Sequence, residues 1–128
     1  MGLLKMILED IKAFITGSGS TITDVYFNHN EAVKGNCVIL WEYDGIYSDT
    51  GLRPQVQIMV KNDDMREARK QIFEIYDKIK PVGSYQQTML INNNRMLITP
   101  KQSPFYLEKD QQNRHVYVFN LDIIQKRS

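Results

Sequence analysis

The chain has 128 residues, 42% of them hydrophobic and 24% charged, with a formal net charge of +1 and a single cysteine. That length holds one sizeable core, so a single domain over residues 1–128 is expected. A near-zero net charge argues against a life spent on non-specific phosphate contacts, which call for a basic excess, and one cysteine excludes an intrachain disulfide and suits a reducing compartment.

The chain opens MGLLKMILEDIKAFITGSGS. Lys5, Glu9, Asp10 and Lys12 interrupt its apolar residues, so it lacks the unbroken core of a secretory signal or a membrane-spanning helix. Met6 stands where a myristoylation pattern needs Ser or Thr. No membrane partner is expected. Leu4, Ile7, Leu8, Ile11, Phe14 and Ile15 instead fall on one stripe and predict an amphipathic helix over 3–16, ended by the glycines of GSGS.

TDVYFN, 23–28, reads as a short strand, and NCVILWEY, 36–43, as a buried strand rich in β-branched and aromatic residues. DGIYSDTG, 44–51, reads as a polar loop. RPQVQIMVKN, 53–62, alternates: Val56, Ile58 and Val60 face one way, and Gln55, Gln57, Met59 and Lys61 the other, so one face is buried. Asp64 and Glu67 have the spacing of a capping box. Behind them Met65, Ala68, Ile72, Ile75, Tyr76 and Ile79 recur at helical intervals, with Lys78 and Lys80 at the end where the helix dipole favours positive charge. Pro81 and Gly83 stop that helix.

QTMLINNNRMLIT, 87–99, reads as two short strands around NNN. SPFYLEK is a short strand or a crossover, and DQQN is a turn. RHVYVFNLDII is a strand with His115, Tyr117, Phe119, Leu121 and Ile123 on one face and Val116, Val118, Asn120 and Asp122 on the other. The tail, 125–128, is polar and expected to fray. This order of elements predicts an α+β fold: a mainly antiparallel mixed sheet packed by two helices. Val56, Ile58, Val60, Ile72, Ile75, Phe119 and Leu121 are its expected core.

Chemistry is scarce. There is no glycine-rich phosphate loop, paired CxxC, HExxH or G-x-S-x-G. Cys37 lies in a buried strand, and neither His29 nor His115 has a nucleophile-pair spacing to it. Asp24, Glu42, Asp44 and Asp49 fit no calcium loop and read as solvated acids. The aromatics lack the interleaved Arg and Lys of a single-strand stacking platform. No catalytic, cofactor or metal residue is expected. On the residues alone a binding or structural protein is favoured, and a small dimeric regulatory or ligand-binding α+β domain remains the alternative to the reading that follows.

Three stretches together carry a family resemblance. LRPQVQIMVKNDDMREARKQIFEIYDKIK resembles the strand-then-helix block of small phage proteins known as minor capsid proteins and related to tail terminators. QSPFYLEKDQQNRHVYVFNLDI resembles the C-terminal signature of that family: QSPF, a charged turn, then Arg and an alternating strand. NCVILWEYDG resembles its earlier buried strand. The resemblance runs over about residues 1–124. Where the pattern expects a glycine before the Arg, Asn113 precedes Arg114, and Asn tolerates the same left-handed backbone.

The resemblance implies a non-enzymatic virion protein, assembled in the host cytoplasm and located at the head–tail interface. It implies a homo-oligomeric ring, a hexamer, that caps the major tail tube protein on one face and meets the head-completion protein on the other, with DNA passing through the central hole. It transfers no catalytic residues. For subunit or ring contacts, the stretch DGIYSDTGLR, 44–53, is long for a link between neighbouring strands and carries apolar groups a solvated linker does not need. Ile46, Tyr47, Asp49 and Arg53 are therefore candidates, with Tyr106, Asp110 and Arg114 on the C-terminal stretch and its turn.

Overall fold

A computed structural model describes residues 2–17, 22, 24–27, 34–48, 51–79, 87–91 and 94–126. Two helices and seven strands follow in the order α1 (Gly2–Ile15), β1 (Val25–Phe27), β2 (Cys37–Ser48), β3 (Gly51–Asn62), α2 (Met65–Ile79), β4 (Gln87–Ile91), β5 (Asn94–Pro100), β6 (Phe105–Lys109) and β7 (His115–Lys126). The fold is α+β, with one mixed sheet in the order β1-β2-β3-β7-β5-β4 and β6 also paired to β7. Among the described residues only the β1–β2 pair is parallel.

The centre of the sheet is β3 against β7, whose ladder runs from Gly51↔Lys126 to Asn62↔His115. Their alternation predicts the core correctly. Val56, Ile58, Val60, Tyr117, Phe119, Leu121 and Ile123 all point to one face and are buried there with Ala68, Ile72, Ile75 and Ile79 of α2 and Leu8, Ile11 and Ile15 of α1. Burying each such isoleucine is worth about 1.5–3 kcal/mol. Tyr76 meets Phe119 edge to face, with ring centroids 5.4 Å apart.

The start of α2 is capped as expected, but by a different second partner. Asp64 Oδ1 accepts the N–H groups of Arg66 and Glu67 at 2.9 and 3.3 Å. The Asp64 N–H goes to Oδ1 of Asn62 at 2.9 Å. Glu67 is exposed on the first turn, so the last residue of β3 does the work a capping box gives to the glutamate. At the other end of α2, Lys78 Nζ donates to the carbonyl of Ile15 at 3.1 Å. It thus satisfies the C-terminus of α1 and ties the two helices together.

Two expectations change. First, residues 44–48 and 51 are strand rather than loop. The β2–β3 ladder continues through Asp44↔Gln55, Ile46↔Arg53 and Ser48↔Gly51, with one register shift between Glu42 and Asp44. Backbone pairing does not need apolar residues, and β3 is held down to Gly51 by β7 on its far side, so a ready edge is there to extend along. Second, the polar tail does not fray at residue 125: Gln125 pairs with both Leu52 and Met96, and Lys126 with Gly51. The second face of β3, which alternation leaves undecided, is also partly closed. Met59 joins Cys37, Ile39, Val116 and Val118 in a second buried cluster with Trp41 packed against it, and Lys61 is 2% exposed.

A candidate contact surface on the β6–β7 hairpin

The segment QSPF marks a break. β5 pairs with β7 up to Pro100↔Leu121, and β6 resumes on the same edge at Phe105↔Val118. Between them β7 has Phe119 and Asn120, and the chain at 101–104 carries more residues than the ladder can place. The gap is closed by a side chain. The Lys101 N–H donates to the Asn120 carbonyl at 2.8 Å, and the Asn120 N–H donates to Oε1 of Gln102 at 2.7 Å. Gln57 Nε2 donates to Oδ1 of Asn120 at 3.1 Å from the neighbouring strand. Pro104, buried and without an N–H, then turns the chain back to the edge.

β6 emerges from that break as Phe-Tyr-Leu-Glu-Lys, every residue exposed. Phe105, Tyr106 and Leu107 are 41, 40 and 47% exposed. Tyr106 lies across the strand from Tyr117, edge to face at 5.3 Å, and its hydroxyl is 3.2 Å from Nδ1 of His115. Among the described residues no strand pairs with the outer edge of β6. An apolar edge left open is a pairing template that folded proteins normally cover.

The turn that follows is rigid. The Asn113 N–H donates to the Asp110 carbonyl at 3.0 Å and the Asp110 N–H to the Arg114 carbonyl at 2.9 Å. Asn113 sits at φ 61°, the left-handed position where a glycine is usual. Asp110 Oδ1 accepts from the N–H groups of Gln112 and Arg114 at 3.0 and 2.9 Å. Its Oδ2 takes the Arg114 guanidinium at 3.0 Å from Nε and 2.9 Å from Nη2, with Lys61 Nζ at 3.7 Å. Arg114 Nη1 reaches across to the Gly35 carbonyl at 2.7 Å and lies 3.7 Å from Cys37 Sγ.

These contacts engage two of the candidates, Asp110 and Arg114, within the chain itself. Arg114 is 2% exposed, and its guanidinium fastens the hairpin turn to the start of β2. Sequence reasoning took it for a surface group because Arg is usually one, and nothing local in RHVYVF reveals that the turn folds its own carboxylate back onto it. Burial works to raise the Asp110 carboxyl, but the hydrogen bonds and charge of Arg114 outweigh it and hold the group below its ordinary value. Tyr106 is exposed, as its candidacy requires. The backbones of Ile46, Tyr47 and Arg53 lie in the β2–β3 ladder; their side chains, and the whole of Asp49, fall outside the described residues.

Among the described residues no group of three His, Cys, Asp or Glu side chains is placed to hold a metal ion. The Cys37 thiol is buried, and burial pushes its pKa up despite Arg114 and Lys61 nearby. Arg114 Nη1 lies 3.7 Å from its Sγ, while His115 is turned to Tyr106. His29 lies outside the described residues. A second surface feature sits on α2, where Arg66, Arg69, Lys70 and Phe73 line a shallow depression and the Arg69 guanidinium stacks 5.0 Å over Phe73. No helix among the described residues is long and apolar enough to cross a membrane.

The model of a family described as bacteriophage tail terminator protein matches residues 14–127. No curated protein matches the chain significantly. The match spans α2 and all seven strands of the described residues, and the chain belongs to the bacteriophage tail terminator family.

Proposed function

We propose that this tail terminator closes the growing tail tube as a homo-oligomeric ring, a hexamer, and joins the finished tail to the head. One ring face stacks on the major tail tube protein, the other meets the head-completion protein, and DNA passes through the central hole. The observation that carries this reading is the family match over nearly the whole chain. The exposed apolar edge at Phe105, Tyr106 and Leu107 supports it, because such an edge suits a protein that is finished by its neighbours.

In this reading the work is structural and no residue acts as a catalyst. The distal β2–β3 hairpin, with Ile46, Tyr47, Asp49 and Arg53, and the exposed Tyr106 are assigned to contacts with neighbouring subunits or rings. The test is direct. Purified chain added to polymerising tail tubes should cap one end, visible by electron microscopy, and hold tube lengths fixed. Tubes that keep growing with no cap rule the reading out. Changing Ile46 and Tyr47 together to Ser should leave a folded chain that caps poorly. A variant that caps as the parent does removes this hairpin from the contact.

A further inference from the structure

The registers of the sheet define two levels. At the upper level one continuous row runs Tyr26–Ile39–Met59–Val118–Phe105, through β1, β2, β3, β7 and β6. At the lower level a row runs Tyr47–Leu52–Gln125–Met96–Met89, through β2, β3, β7, β5 and β4. Each level is five strands wide, and the lower is displaced by one strand. The sheet outline is therefore stepped. β1 projects beyond β2 at the upper level on one side, and β4 projects beyond β6 at the lower level on the other. Among the described residues the outer edges of β1, β6, β4 and the distal half of β2 are all unpaired.

Resting on the ring reading above, we propose that neighbouring subunits join edge to edge by interlocking these steps. The β1 strand of the next subunit enters the recess beside β6, while β4 enters the recess beside the distal half of the next subunit's β2. The occupant of the open β6 edge is thus a second copy of this chain.

Three observations favour a second copy over a free peptide. A sideways displacement of five strands fills both recesses at once, since each level has the same width. The strand polarities also agree. β1 runs with β2 and β6 runs against it, so β6 meets the next β1 antiparallel; β4 runs with β7 and hence with β2, so it meets the next β2 parallel. Finally, Phe105 and Tyr26 end the same row on the same sheet face, are 41 and 39% exposed, and become neighbours when the row is continued. Cross-strand aromatic pairs of this kind stabilise a sheet. The contact uses two different surfaces, the arrangement that closes into a ring when the rotation between copies is right.

Cysteine cross-linking tests the contact. Chains carrying Tyr26→Cys and chains carrying Phe105→Cys are mixed, assembled on tail tubes and oxidised. Both positions are exposed, so folding is preserved, and the buried Cys37 does not compete. A disulfide-linked dimer in the mixture, absent from either variant alone, is expected, and a chain with both changes should give a ladder ending at the ring number. A charge exchange gives a second readout. Tyr26→Lys and Phe105→Asp variants should each lower cap occupancy at least tenfold when paired with the parent edge, and their mixture should regain it. If the parent forms rings but neither the cross-link nor the regain occurs, the edge contact is wrong and the ring reading stands. If the parent forms no ring on tail tubes, both fall.

Discussion

The side chain of Gln102 stands in for a backbone carbonyl opposite Asn120: its Oε1 receives the Asn120 N–H at 2.7 Å where the ladder between β5 and β6 is interrupted. This joint lets a single edge of β7 carry two strands in succession. It leaves β6 free to lie open at the rim of the sheet.

Gln102→Ala should cost about 0.5–1.5 kcal/mol, the net worth of one such hydrogen bond. Gln102→Glu keeps the acceptor and should stay close to the parent. Chemical denaturation of the three proteins, with an unchanged slope, decides it. Equal midpoints for the parent and Gln102→Ala would mean that solvent serves Asn120 just as well.

Asp110→Asn leaves the buried Arg114 and Lys61 without their carboxylate. Removing one partner of a buried ion pair costs about 3–5 kcal/mol. The loss should appear as a lowered midpoint and as faster amide exchange in residues 110–114. A variant as stable as the parent refutes the structural role assigned to this pair.

The same carboxylate sets an acid response. Its native pKa is depressed, so the unfolded chain binds the proton more tightly. The stability it contributes is complete above its ordinary unfolded value and is lost as pH falls through the lower native value. Melting temperature followed downward from pH 5 should fall more steeply for the parent than for Asp110→Asn. Parallel curves would contradict the depressed pKa.

Ile72 is fully buried between α2 and the sheet. Ile72→Ala should destabilise by about 2–5 kcal/mol through lost burial and the cavity left behind. An unchanged denaturation midpoint would show that this face of α2 is assigned wrongly.

Asn113 holds a left-handed backbone at φ 61°. Asn113→Val places a β-branched residue there and should cost about 1–2 kcal/mol. Asn113→Gly should keep the turn intact. Thermal unfolding separates the outcomes; a Val variant that melts with the parent would count against the turn geometry.

The sequence by itself determined much of the frame. The spacing of Ile72, Ile75 and Ile79 and the alternation of Val56, Ile58 and Val60 fix one helix face and one strand face, because burial repeats with the period of the backbone. Those residues meet in one core. Asn113 was legible for a local reason as well, since few residues accept its conformation.

Only the tertiary structure decided what depends on distant neighbours. Alternation assigns Met59 and Lys61 to a second face but does not say whether that face is closed; Met59 packs with Cys37 and Val118, and Lys61 faces Asp110 from a different hairpin. Arg114 reads as a surface cation until its turn brings Asp110 back and β2 brings Gly35 across. The polar stretch from Asp44 becomes strand because β3, anchored by β7, offers it an edge. The stepped outline likewise follows from six separate strand registers. Backbone hydrogen bonds are nearly indifferent to side-chain identity, so which edge pairs with which, and which edges stay open, is settled by the assembled sheet.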